Sequence, residues 1–168
     1  MSNTVPVTTR LREALLERFS VLRDEGRARE VVTHSFFGTG DLPTLLERFR
    51  DRVPLLILSP GARTPLGRER AQGLICRQDY DIRYRLAGIV ADRRGDLSRI
   101  EVVELLADRC FELLQDQRFP ESVQAANRFF YPPHVASDQI IDVPDFSAFV
   151  AEFLVRVRFS VREAEKEP

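Results

Sequence analysis

Tyr80-Asp81-Ile82-Arg83-Tyr84-Arg85-Leu86 and Glu152-Phe153-Leu154-Val155-Arg156-Val157-Arg158-Phe159 decide the fold of this chain. In each stretch bulky apolar residues alternate with mainly charged ones, the period of two expected of a strand buried on one face. Tyr80, Ile82, Tyr84, Leu86 and, further on, Val90 share one side of the first strand, while Asp81, Arg83 and Arg85 share the other. From the second strand Phe153, Val155, Val157 and Phe159 point inward. Two strands of this kind require a sheet with a second layer packed on its apolar side.

Helical periodicity supplies that layer. Leu11, Leu15, Phe19 and Leu22 form one stripe, widened by Ala14, with Arg10, Arg12, Glu13, Glu17 and Arg18 mostly outside it. This helix is expected to open at Thr9 and to end at Gly26 in a left-handed C-terminal position. A second helix, N-capped by Asp41 with Pro43 in its first turn, buries Leu42, Leu45, Leu46 and Phe49 and ends before Pro54. Ser98 and Glu101 form an S-x-x-E capping box at the head of a third, whose inner side is Val103, Leu106, Ala107, Cys110, Leu113 and Leu114.

The remaining strands are expected at residues 29–37, 55–58, 128–131 and 140–143, with the two long ones over 75–91 and 149–161. Leu55-Leu56-Ile57-Leu58, an unbroken apolar run between Pro54 and Pro60, reads as a central strand covered on both faces. Residues 59–73 hold Pro60, Pro65, Gly61, Gly67 and four charged side chains, and read as an exposed loop. Residues 92–96 and 145–148 read as turns, 1–8 as a loose start and 162–168 as a charged tail. The order α-β-α-β-β-α-β-β-β predicts an α+β fold: a mixed, largely antiparallel sheet with helices packed on one face.

The 168 residues suit a single domain spanning 1–168, and 43% hydrophobic with 30% charged residues is ordinary for a globular protein. A net charge of −1 gives no global electrostatic case for nucleic acid or an anionic membrane surface. Apolar runs are too short to span a bilayer, and the first ten residues lack the apolar core of a signal peptide. Cys76 and Cys110 form no C-x-x-C pair; Cys110 falls on the helical stripe as a buried thiol, and the pattern suits a reducing compartment.

Catalytic chemistry finds little footing. His34 in a strand and His134 after Pro132-Pro133 are the two histidines, and neither has metal-ligand spacing. Neither a G-x-S-x-G elbow, a phosphate-binding P-loop nor a G-x-G-x-x-G turn occurs; Gly38-Thr39-Gly40 reads as a strand-to-helix turn. Asp79 and Asp81 share their strand face with Arg77, Arg83 and Arg85, so a solvated or salt-bridged surface explains them better than an acid–base pair. The basic groups Arg48, Arg50 and Arg52, Arg68 and Arg70, and Arg93 and Arg94 sit beside acids without an aromatic stacking platform, so sequence-specific nucleic-acid recognition is not expected. The expectation is a protein with no catalytic residue, cofactor or metal.

In this order and spacing the chain resembles the Mu-type phage tail terminator family over roughly residues 11–159. The matching features are the opening amphipathic helix, the apolar strand Val53-Pro54-Leu55-Leu56-Ile57-Leu58 and the alternating strand over 80–91. The helix Ile100-Glu101-Val102-Val103-Glu104-Leu105-Leu106, the aromatic strand Arg128-Phe129-Phe130-Tyr131 and the closing alternating strand complete the match. The resemblance implies a protomer like the lambda-type terminators, assembled as a hexameric ring on the head-proximal end of a tail tube. Such a ring ends tube polymerisation and meets the neck or connector, and in a sheathed tail also the sheath protein. It implies a virion-tail protein assembled in the cytoplasm of a host bacterium, with the tube and neck proteins as partners and no membrane. In a ring the charged sheet faces, Asp81, Arg83 and Arg85 with Glu152, Arg156 and Arg158, would be candidates for the subunit interface, and residues 60–73 and 132–144 for loops reaching the tube or neighbour. Two other readings stay open: a neck or head-closure connector, and a small ligand-binding or enzymatic domain with His34 or Asp79 and Asp81 at a pocket.

Overall fold

A computed structural model describes residues 7–71, 74–92, 94–115, 119 and 128–160, with the backbone alone for 7, 68–71 and 74–76. The expectations for residues 1–6 and 162–168, and for the side chains of Arg68, Arg70, Cys76 and Arg93, lie outside the described residues.

Along the chain run α1 (Val7–Asp24), β1 (Glu30–Thr33), α2 (Leu42–Arg48), β2 (Leu55–Ala71), β3 (Leu74–Val90), α3 (Arg99–Gln115), β4 (Arg128–Phe130), β5 (His134–Val143) and β6 (Phe146–Ser160). The sheet runs β1-β2-β3-β6-β4, with β5 also paired to β6. Among the described residues β1 and β2 pair in parallel and the other pairs are antiparallel. The fold is α+β with a mixed, mostly antiparallel curled sheet.

Period-two alternation sorts the sheet into two faces. On one, Leu56 and Leu58 of β2, Ile82, Tyr84, Leu86 and Val90 of β3 and the odd-numbered residues 149–157 of β6 pack against the stripes of α1 and α3. On the other, Leu55, Ile57, Ala87, Ile89, Phe146 and Ala148 pack against Leu42 and Leu45 of α2 and against Phe36. The two long helices share one face, and the short α2 covers one end of the opposite face. That division follows from the unbroken run Leu55–Leu58: a strand apolar on both sides needs cover on both.

Local signals set most of the helix ends. The Ser98 backbone N–H donates to Glu101 Oε2 at 2.7 Å, and Glu101 N donates to Ser98 Oγ at 3.3 Å, closing the capping box. Gly26 ends α1 at φ +67°, and the Arg27 and Ala28 N–H groups donate back to the Leu22 carbonyl. Asp41 behaves differently from expectation. It precedes α2 but caps nothing within it; its Oδ2 instead accepts the Phe37 and Gly38 N–H groups at 2.7 and 3.1 Å, tying the preceding turn together.

Three strand expectations are corrected. Residues 59–71 are not a loop, since β2 continues through them to Ala71 and pairs with β3, with register shifts between Pro60 and Arg63, Pro65 and Arg68, and Glu69 and Arg70; residues 72 and 73 lie outside the described residues. Proline forbids a central strand but not an edge or a bulge, and both conditions hold here because β1 covers only Leu55–Leu58. The strand expected over 29–37 is shorter, Glu30–Thr33, and the one expected over 140–143 is longer, His134–Val143.

Candidate functional site

The charged side of β3 and β6 lies on the α2 face of the sheet, beyond the reach of α2. Register brings its residues into opposite-charge pairs: Asp81 faces Arg156, Asp79 faces Arg158 and Arg85 faces Glu152. Arg156 Nε meets Asp81 Oδ1 at 3.0 Å, and Arg158 Nε and Arg77 Nη2 both meet Asp79, at 3.2 Å. Glu152 lies between Arg83 and Arg85, at 3.4 and 3.7 Å. Thus the structure gathers the candidate interface residues Asp81, Arg83, Arg85, Glu152, Arg156 and Arg158 onto one surface, and their charge pairing is made inside the protomer. Five arginines meet three carboxylates on this plate, and Arg83 and Arg156 keep 48% and 52% of their side chains in solvent. The surplus is positive and outward-facing.

The Arg77 side chain, hydrogen-bonded to Asp79 and helped by Arg158, holds the Asp79 carboxyl below its ordinary range. A carboxylate whose folded pKa is depressed stabilises the fold above its unfolded pKa of about 3.9, and that contribution is lost as pH falls through the folded value. Asp79→Asn removes this dependence. Acid titration of unfolding is therefore expected to show a shallower loss of stability below about pH 4 in the variant than in the wild type; identical acid limbs would contradict the pairing.

A shallow cleft of about 520 Å³ opens on the plate, lined by Asp79, Asp81, Tyr131, Pro132, His134, Leu154, Arg156 and Arg158. The histidine beside the aspartates is thus His134. His34 lies elsewhere, edge-on to Phe49 with ring centres 6.0 Å apart. Both aspartates are engaged by arginines, which ill suits a general acid or base. No family model matches this chain, and no curated protein matches it.

A second cleft, about 740 Å³, opens beside α2 between Arg29, Glu47, Arg50, Asp51, Asp92, Asp145 and the apolar Val53 and Phe146. Its residues come from four separate stretches, so no local sequence signal marks it. Among the described residues, no group of three or more His, Cys, Asp or Glu could hold a metal ion. The Cys110 thiol is buried and burial pushes its pKa up, which makes it an inert packing group. No helix among the described residues is long and apolar enough to cross a membrane.

Sequence reasoning also missed Phe37. Phe36 is buried, whereas the Phe37 side chain is 83% exposed. Its backbone is held at both ends, the N–H by Asp41 and the carbonyl by the Arg85 guanidinium. The ring therefore stands at the border of the charged plate on a pinned backbone.

Proposed function

We propose that this protein is a structural tail terminator of a phage or phage-tail-like contractile particle. In this reading its copies form a ring, hexameric by the family resemblance, that caps the head-proximal end of the tail tube. The ring stops tube polymerisation and offers its outer surface to the neck, and in a sheathed tail to the last sheath ring. The protein works by shape and surface fit and makes or breaks no bond.

The observation that carries the reading is the order of elements. The elements on which the resemblance is drawn follow one another as α1-β1-α2-β2-β3-α3-β4-β6, with β5 as an additional strand before the last, and this order is what supports the reading. The charged plate supports it further, because an arginine-rich surface with exposed Arg83 and Arg156, whose aspartates are already engaged by arginines, suits contact with another protein better than it suits chemistry on a small molecule. The same features are compatible with a neck or head-closure connector, which differs in where along the particle the ring sits.

Tube protein polymerised in vitro provides the test. Tubes are expected to stop elongating when the protein is added, with the protein bound at one end. Elongation at an unchanged rate, together with heat stabilisation by a small molecule seated between Asp51, Asp92 and Asp145, would favour the ligand-binding reading instead.

A further inference from the structure

The sheet ends in two unlike edges. Past Leu58 the outer edge of β2 has no strand partner among the described residues, and residues 60–67 are exposed one after another. At the opposite side β5 pairs, among the described residues, only with β6, and its residues 136–140 are likewise exposed. The described side chains of the first edge carry one charge, Arg63, whose hydrogen bond goes to the Thr8 hydroxyl at 3.3 Å. On the second edge Asp142 is engaged by Ser147 and Arg99, while Asp138 has no ion-pair partner among the described residues.

We propose that the β2 edge of one copy pairs with the β5 edge of the next, so that the sheet runs on from subunit to subunit with Arg63 set against Asp138. The inference rests on the ring reading and assigns its subunit contact. Two geometric facts and the signs of the charges support it. Strands β2, β3, β6 and β5 alternate in direction, so β5 runs opposite to β2. Rotation about an axis along the strands preserves direction, which makes the contact between copies antiparallel, the favourable kind. Next, Arg63 pairs across to Ile82 and Asp138 across to Ala151, and both of those residues belong to the helix-side core. Arg63 and Asp138 therefore stand on the same face, as residues directly opposite in adjoining strands must.

Finally, the charges select head-to-tail contact. Pairing β2 with β2 would bring arginine to arginine, and β5 with β5 aspartate to aspartate, whereas β2 with β5 joins opposite signs. Pro60 and Pro65 lack the N–H a ladder needs, so they confine the contact to the short stretch between them and bar longer pairing.

The test is sedimentation velocity on the full chain across a wide concentration range, with thermal unfolding as a check that each variant is folded. Wild-type protein is expected to form species several times the 19.3 kDa monomer. R63E and D138R, both at exposed positions, are each expected to weaken association by about tenfold or more, since like charges then meet. The double variant R63E/D138R is expected to recover association. Association that none of these variants alters overturns the edge contact and leaves the ring reading standing. A wild-type protein that stays monomeric throughout overturns the edge contact and leaves the ring reading to the tube-end test.

Discussion

Phe153→Ala is expected to destabilise the protein by about 3–5 kcal/mol. Phe153 is fully buried in the helix-side core and stacks on Tyr84, with ring centres 5.4 Å apart and planes 15° from parallel. The two residues are register partners across β3 and β6, so the stack joins the two long strands and fills the space beneath the helices. Truncation removes the transfer free energy of a benzyl group and leaves a cavity that a sheet, fixed by its ladder, closes poorly. With a urea slope of about 2 kcal/mol/M the unfolding midpoint falls by about 2 M. Ile140→Ala, on an exposed edge, is expected to stay within about 0.5 kcal/mol of wild type. Equal midpoints for the two variants would show that β3 and β6 are not the pair at the centre of the core.

The second large effect lies at Gly88. A methyl group there would sit 2.8 Å from Phe149 Cδ1 and 2.9 Å from Leu106 Cδ2. Gly88 and Phe149 are register partners, and the Phe149 ring lies across the space a side chain at 88 would take. Gly88→Ala forces a buried aromatic ring and α3 apart and is expected to cost about 1–3 kcal/mol. Gly88→Val adds two further carbons at the same place and is expected to leave little folded protein at 37 °C, given a total stability of about 5–15 kcal/mol. Trimming the obstacle in Gly88→Ala/Phe149→Leu is expected to recover part of the loss, a coupling readable in a double-mutant cycle. A Gly88→Ala protein that melts at the wild-type temperature would refute the close approach of α3 to the sheet.

Much of this architecture is legible in the sequence, for physical reasons that differ by element. The alternation in β3 and β6 is strong because one face is buried under helices and the other is wet, so composition reports orientation directly. The capping box at Ser98 and Glu101 and the left-handed Gly26 depend on interactions within a few residues, which a linear reading contains. Residues 60–67 of β2 misled because prolines, glycines and a charge mark loops on average, while an edge strand exposed on both sides carries the same composition.

The charged plate was half legible. Its residues are evident from the alternation, but whether Arg156 meets Asp81 of its own chain or of a neighbour depends on the register between strands 75 residues apart. Because those pairs close within the protomer, reversing Arg83 and Arg85 to Glu would crowd Glu152 and disturb the protomer itself, which makes that surface a poorer place than the two sheet edges to separate folding from association. The large cleft beside α2 was not legible at all, since only the folded chain brings Arg29, Asp92 and Asp145 together.

The proposed role is to close a tail tube by assembling at its end. Electron microscopy of the purified protein mixed with tail tubes tests it most directly. The account predicts a closed ring of several subunits seated at one end only of each tube, with tubes of arrested length. Bare tube ends, or protein bound evenly along the tube wall, would contradict it.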